Sequence, residues 1–473
     1  MQTECTAGVL EFQRVGRRSI EAAFDGGPVS SDGGALLLAE TDRLTGIVGR
    51  FAACFTDQRD RARVEHSVEE LVRQRVFGLC LGYEDLNDHD SLRDDALFAT
   101  AVGKSDPTGE GRKRERDRGH ALAGKSTLNR LELTGDTVKQ DARYKKVAGR
   151  DEDIERFFVE EFIDGWGDEV PRRLVLDFDP TDIELHGRQE GRFFHGYYRH
   201  YCYLPLLVFC GEALLVARMR KADIDGCAGT VDVLEWLVPQ LRARWPHVEL
   251  VLRADSGFAR DAILTWCEEH GVEYVIGLAR NARLHAEVTD ELDEARALYE
   301  ASGAPARVFK DLVYKTLKTW TLARRVVAKA EQLVGKANPR FVVTSYAAER
   351  FDARTLYEQE YCQRGEMENR IKEHQLDLFG ERASCTPMRA NQLRLWLSGV
   401  AYTLMTEFRR TALRGTDLAR AQTRTIRTRL FKVGAVVRIS VRRVRVALSS
   451  AFPLKGVFRA CLDNLRAEYA SPS

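Results

Sequence analysis

The sequence predicts an α/β protein whose core begins near residue 170. Short runs rich in Val, Leu and Ile, such as those at 174–179 and 272–277, have the length and composition of buried strands. Apolar residues spaced three and four apart predict amphipathic helices at 230–244 and 260–270. A strand meander followed by alternating strands and helices is typical of a ribonuclease-H-like core.

The same patterns divide the rest of the chain. Helical spacing of apolar residues at 33–40 and 68–79 predicts a mostly helical amino-terminal region. Between 282 and 340, β-branched residues alternate with polar ones, which predicts a β-rich insertion into the core. The predicted segments are a helical region at 1–150, the first part of the core at 170–281, the insertion at 282–340, the second part of the core at 341–411, and a basic carboxy-terminal region at 412–473.

Length and composition exclude several classes of protein. The chain has 473 residues, enough for about two or three domains. No apolar run approaches the ~20 residues of a membrane span, so we expect no membrane partner. Residues 1–5 lack the basic start and apolar core of a signal peptide, which predicts a cytoplasmic protein. Its 10 cysteines include no Cys-x-x-Cys pair, so neither a zinc site nor a disulfide framework is predicted.

Two aspartates stand at the ends of predicted strands, and a glutamate lies on a predicted helix. Asp179 closes the run at 174–179, Asp255 closes the run at 248–255, and Glu368 lies within a helical pattern. Mg²⁺ prefers oxygen ligands and keeps several waters that a substrate can replace. Two such ions about 3.5 to 4 Å apart cleave phosphodiesters in many nucleases. The three carboxylates therefore predict a two-metal nuclease site.

The first of these positions has two acidic neighbours. Asp177 lies on the same predicted strand face as Asp179, because side chains alternate along a strand. Asp182 is also close in sequence. We favour Asp179 as the primary ligand and keep Asp177 as the alternative.

The helical pattern around Glu368 carries a polar face. At ~100° per residue, its polar side chains fall within an arc of roughly 80°. They are Tyr361, Arg364, Glu368, Lys372 and Gln375. Arg364 and Lys372 lie one turn either side of the glutamate, where they can hold the phosphates that flank a cleaved bond. Tyr361 can stack on or hydrogen-bond to DNA there, and a packed core tyrosine is the alternative.

The carboxy-terminal region concentrates positive charge in a chain whose net charge is only +1. The stretch 409–445 contains twelve Lys or Arg residues and one acid, Asp417. Such a segment is typical of a surface that binds the DNA backbone, and the adjacent Arg442 and Arg443 are candidate contacts. A solvated face is the alternative.

One motif is interpreted as accidental. Residues 119–126, Gly-His-Ala-Leu-Ala-Gly-Lys-Ser, match the phosphate-loop pattern of nucleotide-binding proteins. That pattern requires a buried strand immediately before it, and the preceding stretch 111–118 is almost entirely charged. We therefore expect no nucleotide cofactor and no nucleotide contact from Lys125. The overlapping segment 122–132 predicts a short helix-turn-helix piece, which either enters a DNA major groove or only packs.

Several motifs together resemble those of a known family. Asp-x-Thr at 179–181, Ala-Asp-x-Gly-Phe at 254–258 and Tyr-(2)-Arg-(3)-Glu at 361–368 resemble the DDE transposases of bacterial insertion sequences with the Tyr-Arg-Glu-Lys signature. The signature's lysine position holds Gln375, so Lys372, on the same face, is assigned the phosphate contact. Within these transposases the chain is most similar to the insertion-sequence 1380 group, whose members share Ser-Ser-Asp-Gly-Gly at 30–34, Gly-Tyr-Glu-Asp-Leu-Asn-Asp-His at 82–89, Gly-Arg-Gln-Glu at 187–190 and Ala-Asn-Gln at 390–392.

The resemblance implies a cut-and-paste DNA transposase associated with the nucleoid. Asp179, Asp255 and Glu368 would hold two Mg²⁺ ions, for which Mn²⁺ can substitute. The implied partners are double-stranded DNA, as terminal inverted repeats and as target, and a second copy of the chain in a homodimer. The region 1–150 would bind DNA or mediate dimerisation. The resemblance also makes Trp320 a candidate to stack on an extruded base, but we favour the ordinary case, a buried tryptophan. A nuclease without strand transfer and a catalytically silent DNA-binding protein are the rival functions.

Overall fold

The computed structural model describes residues 8–139 and 145–470. Residues 1–5, considered above for a signal peptide, lie outside the described residues. The chain forms two compact units. Unit 1 contains Met1–Leu131, Lys139–Val147 and Leu404–Ser473, and unit 2 contains Glu132–Val138 and Ala148–Thr403.

The strands are short in unit 1 and longer in the central part of the chain. In chain order they are β1 (Leu10–Val15), β2 (Arg18–Ala22), β3 (Val29–Ser30), β4 (Phe55–Asp57), β5 (Val147–Gly149), β6 (Arg173–Pro180), β7 (Ile183–Glu184), β8 (Phe193–His195), β9 (His200–Tyr203), β10 (Leu206–Cys210), β11 (Ala213–Arg218), β12 (Glu249–Ala254), β13 (Glu273–Leu278), β14 (Ala306–Tyr314), β15 (Arg324–Leu333), β16 (Lys336–Ala337), β17 (Arg340–Thr344), β18 (Ala435–Ser440) and β19 (Arg443–Leu448).

The helices are distributed along the whole chain. In order they are α1 (Ala35–Thr45), α2 (Ile47–Ala53), α3 (Val68–Leu81), α4 (Asp88–Leu92), α5 (Ala96–Val102), α6 (Lys125–Glu132), α7 (Asp151–Asp164), α8 (Thr230–Arg244), α9 (Asp261–Glu269), α10 (Ala282–Ala286), α11 (Thr289–Ser302), α12 (Ala353–Thr355), α13 (Arg364–Lys372), α14 (Met388–Thr411), α15 (Thr423–Ile426) and α16 (Lys455–Ala470). π-helical turns occupy Leu356–Tyr361, Glu373–Asp377 and Arg427–Phe431. Of the helices in the described part of the chain, none is long and apolar enough to cross a membrane.

Unit 2 is built on one large mixed sheet. Its strand order is β11-β10-β6-β12-β13-β17-β15-β14, with β16 paired to β15, which makes 9 strands among the described residues. β6, β12 and β13 are parallel, and β10, β11, β17, β15 and β14 are antiparallel to their neighbours. The meander β6, β10 and β11 precedes α8, β12, α9 and β13, so strands and helices alternate as predicted. The α/β class expected from the sequence is present.

The two faces of this sheet are covered by different layers. Leu176 and Phe178 of β6 point into the main hydrophobic core, to which α8 and α9 also contribute. On the opposite face, Val251 of β12 packs in a second core with Leu356 of the first π-helical turn. Because side chains alternate along β6, Asp179 lies on this second face. Asp179, near the end of β6, therefore lies on the face of the sheet that is covered by the helical segment after residue 353.

The region 282–340 differs from its prediction at its start. It begins with the helices α10 and α11, and only then do β14 and β15 follow as a long antiparallel pair. β15 also pairs with β17, so these strands extend the main sheet. The sequence of α11 is rich in Glu, Leu and Ala, which favour helices. This local propensity, and not the strand pattern further on, determines the conformation of 289–302.

In unit 1, two of the quoted motifs meet at a buried carboxylate. Asp32 is 1% exposed and accepts hydrogen bonds from the hydroxyl of Tyr83 and the ammonium group of Lys432, both at 2.6 Å. Gly34 lies so close to the backbone of Phe431 that a Cβ there would be 2.3 Å from the Phe431 Cα. These motifs hold the amino-terminal and carboxy-terminal parts of unit 1 together.

Candidate active site

The end of β6 and the residue after β12 lie on one face of the sheet. The two strands are parallel, and Asp177 lies beside Arg253 in their register. Asp179 and Asp255 follow two residues later on each strand path, so they share that face. Asp255 accepts a hydrogen bond from the backbone N–H of Gly257 at 2.8 Å, which fixes the turn after β12. The topology thus brings the two predicted aspartates to one sheet edge.

Asp177 is engaged in a buried ion pair. Nε and Nη2 of Arg253 donate to its two carboxylate oxygens at 2.6 and 2.7 Å, and both side chains are less than a tenth exposed. Nη1 of Arg253 donates to the carbonyl of Glu360 at 2.8 Å. Burial raises the pKa of Asp177, and the charge of Arg253 opposes this shift. Both carboxylate oxygens of Asp177, the alternative first ligand, are therefore engaged by one buried guanidinium.

Arg364 links two of the three predicted ligands, Asp179 and Glu368. Its Nη1 donates to Oδ2 of Asp179 at 3.2 Å, and its Nη2 donates to Oε1 of Glu368 at 2.7 Å. The side chain of Asp179 is 16% exposed, whereas that of Glu368 is 47% exposed. One guanidinium is thus shared between a largely buried carboxylate and an open one.

The protonation of Asp179 is strongly perturbed. Burial, and to a smaller extent the charges of Asp255 and Glu368, raise the pKa of Asp179 to about 7. The guanidinium of Arg364 opposes the shift. The three predicted ligands therefore lie within electrostatic range of one another, where added positive charge would stabilise their ionised forms.

The donor set fits a divalent cation in its chemistry. Asp179, Asp255 and Glu368 face one guanidinium, so the ionised cluster carries excess negative charge, and Mg²⁺ prefers carboxylate oxygens. Within residues 8–139 and 145–470, no group of three or more His, Cys, Asp or Glu side chains is close enough together to hold a metal ion. Arg364 bonds both Asp179 and Glu368, so the glutamate would have to release this arginine to join the aspartates.

The helical segment that carries Glu368 is not uniform. α13 is flanked by π-helical turns, which change the direction of side chains and occur often at functional sites. Tyr361 is partly buried within this segment, and Lys372 is exposed. Gln375 donates to Oγ1 of Thr181 at 2.9 Å. The residue at the signature lysine position therefore holds the chain next to the first aspartate.

The sequence matches a family model described as Transposase DDE domain group 1 over residues 12–469. The chain belongs to this family of DDE transposases. No match is found among curated proteins.

A solved structure that resembles this transposase is the cryo-EM structure of the piggyBac transposase synaptic complex with hairpin DNA. The TM-score is 0.40 and the sequence identity is 13%, with 92% of this chain and 85% of that chain covered.

Gly277, which the sequence analysis did not single out, shapes the site of this transposase. It lies in β13, where a Cβ would be 2.5 Å from the hydroxyl oxygen of Tyr361 and 3.0 Å from the backbone nitrogen of Ser256. Glycine therefore lets Tyr361 approach the turn that follows Asp255. A glycine inside a strand often marks such a close approach, so the signal was present in the sequence.

We expect Gly277→Ala to destabilise unit 2 by about 1–3 kcal/mol, because Tyr361 or the neighbouring turn must move. Urea unfolding measures this effect, and DNA cleavage should fall with it. Adding Tyr361→Phe should restore part of the stability, since it removes the closest atom. Gly365→Ala is the matched control, because its Cβ would enter open space on a helix. Absence of any rescue by Tyr361→Phe would contradict this assignment.

Trp320 is not available to stack on a base. It is 4% exposed and packs with Tyr314 at 6.1 Å between ring centroids. The guanidinium of Arg324 lies 5.5 Å from its ring, and its indole nitrogen donates to the carbonyl of Ala259 at 3.4 Å. The favoured interpretation, a buried tryptophan, is therefore confirmed, and the stacking role considered for Trp320 is wrong.

The phosphate-loop pattern lacks its structural context. The residues 111–118 before it, all described, contain a 3₁₀ turn at Glu115–Asp117 and no strand. At the start of α6, the backbone N–H of Lys125 donates to Asp90 at 2.9 Å, and the ammonium group of Lys125 lies 3.4 Å from the same carboxylate. The segment 122–132 contains one helix, so the helix-turn-helix prediction is wrong.

The basic run at 409–445 has a structural part and an exposed part. Nε of Arg427 donates to the carbonyl of Cys80 at 2.8 Å, within unit 1. Arg442 and Arg443, by contrast, are exposed at the tip of the β18–β19 hairpin. Only part of the predicted basic surface is therefore free to meet a polyanion.

A cleft of about 720 Å³ in unit 1, which we call the cationic cleft, collects further positive charge. Its lining includes the buried His66. Burial, and to a smaller extent the charges of Lys104 and Arg112, lower the pKa of His66 to about 3. The lining also contains Asp60, Glu65, Asp90 and Asp117, but its lysine and arginine side chains outnumber these acids, which suits an anionic ligand. The arginines of its lining include Arg59, Arg63, Arg93, Arg112, Arg114 and Arg116.

Proposed function

We propose that this transposase moves a DNA element by a cut-and-paste reaction. The observation that carries the proposal is the placement of Asp179 and Asp255 at one sheet edge, with Arg364 joining Asp179 to Glu368 of α13, in a chain of the DDE family. These residues would hold two Mg²⁺ ions, or Mn²⁺ in their place, which activate water and stabilise the leaving oxygen in phosphodiester hydrolysis.

Arg364 couples the site to its substrate. It pairs with Asp179 and Glu368 in the structure, and a phosphate offers it a partner with the same geometry. When DNA binds, a phosphate would therefore replace the Glu368 carboxylate as a partner of Arg364, and Glu368 would be free. Tyr361 and the exposed Lys372 would contact the backbone on either side of the cleaved bond.

The order of steps follows from the resemblance to the insertion-sequence 1380 group, in which we place this chain. Water would cut one strand at each element end and leave a 3′ hydroxyl. This hydroxyl would attack the opposite strand and form a hairpin, which is reopened before insertion into target DNA. The terminal inverted repeats are the substrates, and a homodimer would hold the two ends together.

The folds of the two units support different tasks for them, catalysis in unit 2 and DNA binding in unit 1. The meander of β6, β10 and β11, followed by β12 and β13 parallel to β6, supports a ribonuclease-H-like catalytic core in unit 2. The cationic cleft and the exposed arginines at 442–443 support a DNA-binding role for unit 1.

The test uses the purified chain and a duplex that carries the inverted repeats flanking its coding region. We expect divalent-metal-dependent nicking at the repeat ends and joining of those ends to a second duplex. Nicking without joining would show a nuclease without strand transfer. Binding without nicking would show a silent DNA-binding protein.

We expect replacement of Arg442 and Arg443 by Glu to weaken binding to element-end and random duplexes alike, because backbone contacts carry no sequence information. The slope of log affinity against log salt should fall by about one unit for each phosphate that the variant no longer neutralises. Binding curves at several salt concentrations measure it. The same replacement at Arg17 and Arg18, also exposed beside a hairpin turn, controls for net charge. An unchanged slope would show that the hairpin tip is a solvated face that does not contact DNA.

A further inference from the structure

A group of uncovered aromatic side chains lies in unit 2 on the small sheet formed by β7, β9 and β8. Phe193 is 46% exposed, Phe194 50%, Tyr197 83% and Tyr201 42%. We call β8, β9 and their turn, residues 193–203, the aromatic hairpin. So many exposed aromatic rings in one short segment mark a site of interaction.

One face of the aromatic hairpin is a preformed platform. Phe194 and Tyr201 are partners across the two strands and pack edge to face, with ring centroids 5.5 Å apart and ring planes at 78°. The guanidinium of Arg192 lies 4.5 Å from the centroid of the Tyr201 ring. Backbone pairing and this edge-to-face contact hold the rings in place. A planar ligand can therefore stack on the exposed face of one ring with little loss of side-chain freedom.

The turn of the hairpin adds a further exposed ring, that of Tyr197. Tyr197 packs edge-on against Tyr198, with centroids 5.0 Å apart. The backbone N–H of Arg199 donates to the carbonyl of His195 at 2.8 Å, and Arg199 has a φ of 64°. This closed turn fixes the most exposed ring of the group at the tip.

The aromatic hairpin is anchored beside the candidate catalytic aspartate. β9 leads directly into β10, whose Leu207 is paired with Asp179. Nε2 of His200 lies 2.8 Å from Oδ2 of Asp182. Burial raises the pKa of Tyr198, and the charges of Asp182 and Asp179 raise it further, which places this ring within their electrostatic range. A ligand on the hairpin would therefore lie close to the reacting bond.

The charge of this segment favours a polyanion over an apolar protein surface. Arg188, Arg192 and Arg199 are exposed. The acid among residues 186–201 is Glu190, whose carboxylate accepts a hydrogen bond from the backbone N–H of Met388 at 3.1 Å. Arginine next to exposed aromatic rings is the combination that binds single-stranded nucleic acid.

We propose that the aromatic hairpin stacks on DNA bases that become unpaired next to the cleaved bond. The inference rests on the proposed function, because it assumes a DNA end in the site. Every base presents a π face, so such stacking holds an opened end without reading its sequence. Phe194, Tyr201 and Tyr197 are the stacking residues, and Arg192 supports the platform.

Two labelled DNA probes of equal length test the proposal by fluorescence anisotropy. One is fully paired, and the other ends in a short unpaired tip that contains 2-aminopurine. We expect Phe194→Ala and Tyr201→Ala each to weaken binding of the tipped probe about five-fold or more, and to leave the paired probe unaffected. The quenching of 2-aminopurine should fall in the same variants. Tyr201→Phe should retain binding, because the ring remains.

Phe24→Ala is the matched control, since Phe24 is 93% exposed and lies in unit 1. Equal binding of both probes by the alanine variants and the wild type would overturn the inference while leaving DNA binding intact. A changed oligomeric state in those variants, with unchanged DNA binding, would assign the aromatic hairpin to contact with a second copy and also overturn it. Failure of the wild type to bind either probe would contradict both the proposed function and this inference.

Discussion

Replacing Asp179 or Asp255 by Asn, or Glu368 by Gln, is expected to reduce strand cleavage by at least about a thousand-fold. Metal ions held by these carboxylates supply several kcal/mol of transition-state stabilisation, and an amide binds Mg²⁺ poorly. Cleavage of a labelled element-end duplex measures the loss. DNA binding should stay largely intact, because the variants keep the shape of the site.

Glu366→Gln is the matched control for Glu368→Gln. Glu366 is an exposed carboxylate on the same helix, two residues away and on a different face. It should cleave at the wild-type rate. Full activity of Asp179→Asn, combined with loss of activity in Asp177→Asn at unchanged stability, would transfer the role of first ligand to Asp177.

The strand ends and the helical spacing of the candidate site could be predicted from the sequence because they depend on local patterns. The apolar run before Asp179 forms β6, and the run before Asp255 forms β12. Residues four apart on a helix are neighbours, and the structure joins Arg364 to Glu368 at 2.7 Å. Whether these residues act in catalysis remains a prediction that the experiments above address.

The contacts across the sheet could not be predicted, because they depend on strand order and register. Arg253 lies within the apolar run that ends at Asp255, and a charge inside a buried strand requires a partner. The parallel register of β6 and β12 provides Asp177 as that partner. The packing partners of Trp320 could not be predicted for the same reason, since no local pattern shows that β14 and β15 pack against the main core. The π-helical turns beside α13 also have no simple sequence signal.

The buried pair of Asp177 and Arg253 leads to a second large effect, on stability. Removing one partner of a buried ion pair leaves an uncompensated charge, which costs about 3–5 kcal/mol. Asp177→Asn should therefore lower the free energy of unfolding of unit 2 by about that amount, and urea unfolding measures it. Asp179→Asn should leave it unchanged or raise it, because burial and the charges of Asp255 and Glu368 already disfavour ionised Asp179.

The double variant Asp177→Leu/Arg253→Met separates the charge effect from a general sensitivity of the strand. Replacing both partners by apolar side chains of similar volume is often neutral or stabilising. We therefore expect it to recover most of the stability that Asp177→Asn removes. At low temperature, where the double variant is folded, its cleavage rate should stay within about ten-fold of the wild-type rate. Loss of a metal ligand would reduce the rate by about a thousand-fold, so the smaller loss would show that Asp177 is not a ligand. A double variant that is stable but inactive would show that Asp177 contributes to the reaction and that its ion pair is not only structural.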